Sequence, residues 1–275
     1  MSKINDFIDR KILADELHKK VIKKFKRRKV ICNHIDDIWA SDLVDYSMFS
    51  KQNKHFKYLL VAVDCLSKYL FVRKLKTKTG LEVSNAFRDI FKEGRKPNKL
   101  WTDKGTEFVN KIMNKLLKEE NIILYHTENE EKSCLAERVN RTIKEKIAKH
   151  FTVTNTTKYY DVLDKIVNEY NNTYHNTIRM TPVEGSKKEN ESDIRERVFT
   201  EEKCTNKAKY KIGDRVRITK YKKTFEKGYS AGWTTEIFVI DNVLNTNPVT
   251  YVIRDLNGEI IKGSFYENEL QKTKL

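Results

Sequence analysis

Cysteine is scarce in this chain: there are four, Cys32, Cys65, Cys134 and Cys204, and none has CxxC spacing. That pattern predicts reduced thiols in an intracellular protein and excludes a disulfide framework. No run approaches the ~18–20 apolar residues that a bilayer-spanning helix needs, so no membrane partner is expected. The opening residues, MSKINDFIDRK, contain no apolar core segment, which argues against a secretory signal. Acidic side chains are also in deficit. Against 55 Lys+Arg stand 39 Asp+Glu, a net charge of +16 over 275 residues. Such a basic protein points first to a polyanionic partner, usually nucleic acid. The chain is not a disordered polycation, because 13 Phe, 13 Tyr and 3 Trp are enough for a packed core. Its length suggests about two domains.

The charge is unevenly placed. Residues 1–38 carry 11 basic and 6 acidic side chains, and residues 39–150 carry 23 and 15. Residues 151–208 are near neutral with 9 and 10, and residues 209–275 return to 12 and 8. Three basic blocks around a neutral one suit a protein that touches DNA through several modules. The densest run, KKVIKKFKRRK at 19–29, reads equally as a solvated helical face, an import signal or a phosphate-contacting arm.

Apolar residues at 4, 7, 8, 12, 13 and 17 predict a helix over 4–28. Strand-like runs follow at 38–46, 58–64 and 69–75, the last two joined tightly as a hairpin. Helix and strand then alternate: a helix at 79–92, a strand at 99–102, a helix at 106–119, a strand at 121–126 and a helix at 134–151. The polar loop TENEEKS (127–133) precedes that last helix, whose Val139, Ile143 and Ile147 recur at helical spacing. This order predicts a mixed sheet with helices on its faces, an α/β core. Two more helices are expected at 159–174 and 182–198, around the Thr181–Pro182 break. The remainder is β-rich, with strands at 210–219, 234–244, 249–255 and 259–265 and an Asn257–Gly258 turn, which suggests a small barrel.

Three acidic residues fall where chemistry is usually done. Asp42 lies in the first strand, Asp103 at the carboxyl end of the fourth, and Glu137 near the start of the helix after the fifth. Converging carboxylates in a basic protein suggest divalent cations between them, and hard ions such as Mg²⁺ prefer oxygen ligands. Two ions ~3.5–4 Å apart suit in-line phosphoryl transfer. Asn140, Arg141 and Lys144 follow Glu137 at helical spacing and share its face. That face could grip DNA, although ordinary surface pairing would give the same spacing. Asp45 competes with Asp42, but residues three apart in a strand point to opposite faces. Asp64 suits a turn cap, and Glu107 a helix N-terminal charge.

Together, WASDLVDY, LWTDKGTEF and SCLAERVNRTIKEK resemble the three signature blocks of the retroviral-type integrase core, which has a ribonuclease-H-like fold. Over residues 20–272 the chain looks closest to integrases of the Polinton/Maverick transposon and virophage kind. The resemblance implies a D,D,E triad of Asp42, Asp103 and Glu137 as catalytic residues and metal ligands, with Trp39 matching the family's Trp-x-x-Asp. It implies Mg²⁺ or Mn²⁺, as two ions. The 33 residues between Asp103 and Glu137 are slightly fewer than is usual in the family. Tyr170, Asn171, His175 and Thr181–Pro182 resemble the YN…H…TP segment that follows such cores. His18, Cys32 and His34 lack the second pair of the family's zinc module, so no zinc is expected.

The expected organisation is a basic helical arm at 1–36, the catalytic core at 37–155, a helical linker at 156–208 and an SH3-like or chromodomain-like barrel at 209–275. In the barrel, Lys209, Lys211, Arg215, Arg217, Lys220, Lys222 and Lys223 are expected to bind DNA, with Asn140, Arg141 and Lys144 doing so in the core. Trp233, Phe238, Tyr251 and Tyr266 could instead form an aromatic cage for methyl-lysine, a chromatin contact, or simply the barrel core. The implied activity is metal-dependent 3′-end processing and strand transfer of element DNA into target DNA. The implied partners are double-stranded DNA and further copies of the chain, as a dimer or tetramer, and the implied location is the host nucleus or a virion. The alternatives are a domesticated, non-catalytic DNA-binding protein and a ribonuclease H-like nuclease.

Overall fold

The first helix, α1 (Ser2–Leu17), stops well short of residue 28. The basic run that follows is not helical. Packing so many like charges at i, i+4 spacing would repel, whereas an extended course keeps them apart. The computed structural model describes all residues except 1, 29, 127–133, 200–206, 221–229 and 275, with backbone alone for 2–9 and 134. The chain divides into two compact units, one of residues Ile31–Thr200 and one of Met1–Val30 with Glu201–Leu275.

The larger unit is built on β1 (Ile38–Asp45), β2 (Tyr58–Asp64), β3 (Leu70–Leu75), β4 (Lys99–Thr102) and β5 (Ile123–His126), ordered β3-β2-β1-β4-β5. β1, β2 and β3 pair antiparallel, while β4 runs parallel to both β1 and β5. This is the mixed five-stranded sheet expected of the core. Alternation along β1 divides its side chains between two layers. Ile38, Ala40 and Val44 pack with Val139, Ile143 and Ile147 of α4 (Cys134–Thr154). Trp39 goes to the other face, with Phe87 and Ile90 of α2 (Gly80–Phe91) and Leu116 of α3 (Lys111–Glu119).

α2 starts where its cap dictates, because the Thr79 side chain accepts a bond from Glu82 N. α3 starts five residues later than its apolar spacing suggested. Asn110 caps it by accepting from Met113 N, and residues 106–110 form turns. Glu107 is therefore not in the first turn of α3.

The YN…H…TP segment is structural. Asn171 ends α5 (Leu163–Asn171), and its amide accepts from Leu70 N and donates to Leu70 O, pairing with the outer edge of β3. His175 N donates to Met180 O across a tight loop. Thr181 and Glu184 form a reciprocal capping box at α6 (Pro182–Gly185). The expected helix at 182–198 is thus broken, resuming as α7 (Glu191–Val198).

Asp64 closes the β2–β3 turn as expected. Its fully buried carboxylate accepts from Leu66 N, Ser67 N and Ser67 Oγ. Arg95 reaches it from outside while bonding Asp36 through two nitrogens and lying over the Tyr69 ring. Burial pushes the Asp64 carboxyl up, a push that the Ser67 hydrogen bond partly offsets.

In the smaller unit, β6 (Arg215–Ile218), β7 (Phe238–Leu244), β8 (Thr250–Arg254), β9 (Phe265–Tyr266) and β10 (Leu270–Lys272) form an antiparallel sheet ordered β10-β6-β7-β8-β9. The Asn257–Gly258 turn is present, with Asp255 accepting from Asn257 N and Glu259 N. The strand expected directly after it shrinks to an Arg254–Ile260 bridge and the short β9. The N-terminal segment, expected as a separate arm, folds with this sheet. Gly232 N donates to Leu17 O, and Trp233 Nε1 donates to Lys19 O.

Candidate active site

Asp42 and Asp103 come together through strand register. The parallel β1–β4 ladder ends at Ala40↔Trp101, and each acidic residue lies two positions further along its chain. Ala40 and Trp101 both belong to the α4-side cluster. A period of two therefore sends Asp42 and Asp103 to that same side, at matching heights, where the parallel strands end. Asp42 is partly exposed and Asp103 exposed.

α4 meets this edge with its first turns. Asn140 Nδ2 donates to Asp42 Oδ2 at 2.7 Å, and Leu43 N donates to Asp42 Oδ1 at 2.8 Å. Glu137 precedes Asn140 by three residues, so it shares that face, and it is exposed. Arg141 and Lys144 are exposed further along the helix. Lys144 lies close enough to Asp45 to help hold that carboxyl below its usual range. The larger causes there are the hydroxyl and backbone N–H of Ser47. Asp45 is thus engaged with Ser47, which leaves Asp42 as the β1 carboxylate on the α4 side.

Asn140 does more than the sequence suggested. Read there as a DNA-gripping residue, it is buried and holds Asp42. Its Oδ1 is buried and has no hydrogen-bond partner among the described residues. The +3 spacing from Glu137 was a visible signal for a shared face, but not for the partner.

Gly105 is a second residue given no role at first. Its N donates to Asp103 Oδ1 at 3.0 Å. A Cβ there would lie 2.9 Å from Asp103 Oδ1 and 2.7 Å from the Glu107 carboxyl carbon. Both atoms belong to the ends of flexible side chains, so a methyl there would push the two carboxylates aside rather than open the loop. Gly105→Ala should displace Asp103 while leaving the core intact. If Asp103 is catalytic, the expected result is a roughly 10²-fold loss of strand transfer at an almost unchanged melting temperature. Wild-type activity in this variant would show that Asp103 needs no such positioning.

Three carboxylates are a hard-oxygen donor set suited to Mg²⁺ or Mn²⁺. Among the described residues, however, no three His, Cys, Asp or Glu side chains stand close enough to share an ion. Asp42, Asp103 and Glu137 therefore do not meet as one closed ligand set. The donor chemistry fits a divalent cation, and the present spacing is open.

The expected DNA contacts divide. Lys209, Lys211, Arg215 and Lys220 are exposed. Arg217 corrects an expectation, being 1% exposed and paired with Glu16 Oε2 at 2.9 Å, so it offers nothing to DNA. Lys222, Lys223 and the TENEEKS loop lie outside the described residues. The aromatic cage is also absent. Trp233, Phe238 and Tyr251 are 4%, 7% and 0% exposed, and Tyr251 Oη accepts from Lys209 N within the core. Of the residues once weighed as zinc ligands, Cys32 is a free thiol buried in the core beside Cys65. His34 contacts Ile35 O and Asn98.

A mixed five-stranded sheet, with acidic residues gathered at its carboxyl edge under a helix, defines a ribonuclease-H-like integrase core. The integrase core domain family matches residues 33–132, taking in Asp42 and Asp103 but ending before Glu137. A transposon-derived protein of Caenorhabditis elegans is 35% identical over 221 residues, covering 78% of this chain and 73% of that protein. The retrovirus-related Pol polyprotein from transposon 297 of Drosophila melanogaster is 30% identical over 100 residues, 36% of this chain and 9% of that protein. Among solved structures, a chain of the simian T-cell lymphotropic virus intasome in complex with the PP2A regulatory subunit B56 gamma shares the fold. Its TM-score is 0.60 at 15% identity, over 93% of this chain and 84% of that one. The chain belongs to the family of retroviral-type integrases and their transposon-derived relatives.

Proposed function

We propose that the chain is an active DNA integrase of a mobile element or virus, carrying out 3′-end processing and strand transfer. The observation that carries this reading is the matched placement of Asp42 and Asp103 beneath the first turns of α4, which bear Glu137. Asp42, Asp103 and Glu137 would hold Mg²⁺ or Mn²⁺, as two ions. When bound, such ions activate the attacking oxygen and stabilise the leaving one in an in-line displacement.

The chain's own residues supply the rest. Asn140 fixes the Asp42 carboxylate in one rotamer. Arg141 and Lys144 offer positive charge to phosphates along the same helix face. Water first cleaves a phosphodiester near the element's 3′ end, and the freed 3′-hydroxyl then attacks a target phosphodiester, its new P–O bond forming as the target strand's P–O3′ bond breaks to leave a 3′-hydroxyl. No protein nucleophile is required. The smaller unit serves as an SH3-like DNA-binding module through Lys209, Lys211, Arg215 and Lys220. Two DNA ends must be joined together, which calls for a dimer or tetramer of the chain. Chromosomal target DNA places the reaction in the host nucleus. The three motif blocks align it with Polinton/Maverick and virophage integrases.

The test is a paired-end joining assay, using a panel of end-mimicking duplexes, a plasmid target and either metal. Joined products are the expected result. Duplex binding without joining would make this a non-catalytic DNA-binding protein. Cleavage of DNA–RNA hybrids without joining would make it a ribonuclease H.

A further inference from the structure

Residues 19–28 carry Lys19, Lys20, Lys23, Lys24, Lys26, Arg27 and Arg28 and no acidic side chain. A loose polycation of this kind would leave its backbone and its apolar residues unattached. Here the backbone at both ends and the Phe25 ring are fixed to the sheet of the smaller unit. At one end Trp233 Nε1 donates to Lys19 O. At the other, Arg28 N donates to Tyr266 Oη at 3.0 Å, and the Phe25 ring packs on Tyr266 with centroids 5.6 Å apart. Arg27 lies over Phe25 and reaches Glu269 at 3.8 Å.

Toward its C-terminal anchor, over residues 24–28, the segment alternates. Phe25 and Arg27 are half-buried against the sheet, while Lys24, Lys26 and Arg28 are exposed. On an extended chain, same-side residues recur every ~6.6 Å. A duplex strand rises ~3.4 Å per phosphate while winding about the axis, so neighbouring phosphates along the strand lie roughly 7 Å apart and three outward cations at this spacing match successive ones. Lys23 and Arg27 of the segment line one pocket with Lys220 and Glu269, so cations of segment and sheet meet there around one carboxylate.

We propose that residues 19–28 form a preformed rail for the phosphate backbone of duplex DNA. The rail deepens the integrase reading by naming a DNA grip outside the catalytic unit. It is built by anchors rather than by charge alone. An acidic protein surface lacks a regular phosphate repeat and has no use for the alternation.

The experiment is fluorescence anisotropy with a labelled duplex of about two helical turns and the full chain, without divalent metal, over a range of salt. The triple variant Lys24→Gln/Lys26→Gln/Arg28→Gln should flatten the log K against log salt slope by roughly 2–3, at ~0.9 per lost phosphate contact. Phe25→Ala keeps every charge but releases the anchor, and should weaken binding roughly tenfold through lost preorganisation. A wild-type slope in the triple variant overturns the proposal, even if that variant fails to bind an acidic protein. Wild-type affinity in Phe25→Ala overturns it as well, because an unanchored polycation would behave that way. Binding requires no turnover. A chain that binds through the rail yet joins no ends would therefore refute the enzymatic reading alone.

Discussion

Asp103→Asn is expected to lower strand transfer by roughly 10³-fold or more while leaving duplex binding intact, because residues that act as one catalytic unit each cost nearly the whole effect. This position gives the cleanest of the three triad tests. Asp103 is exposed, and its Oδ1 accepts from Gly105 N. The amide oxygen of Asn can accept that bond, so loop and strand keep their geometry and only the charge is lost. Asp42→Asn is less clean, since Asn140 Nδ2 would then face an amide that can turn its own donor toward it. Glu137→Gln should match Asp103→Asn in loss of joining. All three should keep the wild-type salt slope of DNA binding, because none removes a phosphate-contacting cation. Retained joining in Asp103→Asn would remove the triad assignment. Loss of joining together with loss of duplex binding would make Asp103 a folding residue instead.

The three candidate carboxylates could be placed on their elements from the sequence because each sits on a local pattern. Strand alternation located β1 and β4, an i, i+4 apolar stripe located α4, and the three motif blocks gave the order. What lay beyond local pattern was the identity of each partner. Asn140 differs from an ordinary helical amide only because Asp42, 98 residues away, accepts its hydrogen bond. Gly105 owes its role to a carboxylate that bends back over it. The run at 19–29 showed its charge plainly but not its course, since its anchors Tyr266 and Trp233 lie more than 200 residues further along the chain. Three of the four cage candidates, Trp233, Phe238 and Tyr251, are buried, because a sheet of short strands must bury large side chains to be stable, while Tyr266 is half-exposed against Phe25.

Arg217 is the sharpest case of that kind. In sequence it is one more cation in KIGDRVRITK, indistinguishable from Arg215. On β6 the two share one face of the strand by parity, yet Arg215 is exposed and Arg217 is buried and paired with Glu16 of α1. Arg217 Nη1 also donates to Thr234 O and Thr235 O. Thr273 Oγ1 and Lys274 N complete the shell around the Glu16 carboxylate. Removing one member of a buried ion pair strands the other, so Arg217→Ala should cost about 3–5 kcal/mol. Arg215→Ala should stay within about 0.5 kcal/mol. The double variant Glu16→Leu/Arg217→Met should recover most of the loss, since a packed apolar pair avoids the desolvation of two ions.

The pH dependence supplies a sign that a surface cation would not. Burial pushes the Glu16 carboxyl up, but the bonds from Lys274, Arg217 and Thr273 outweigh it and leave the group below its usual range. A depressed folded value contributes stability above the unfolded pKa of ~4.3, and that stability is lost as pH falls through the folded value. In Arg217→Ala the largest lowering side chain is gone and burial dominates, so protonation of Glu16 relieves the stranded charge. The gap between wild type and Arg217→Ala should therefore narrow as pH falls from 7 toward 4. Urea unfolding at both pH values measures it. A gap that stays constant, or an Arg217→Ala variant as stable as wild type at pH 7, would return Arg217 to the surface and to DNA.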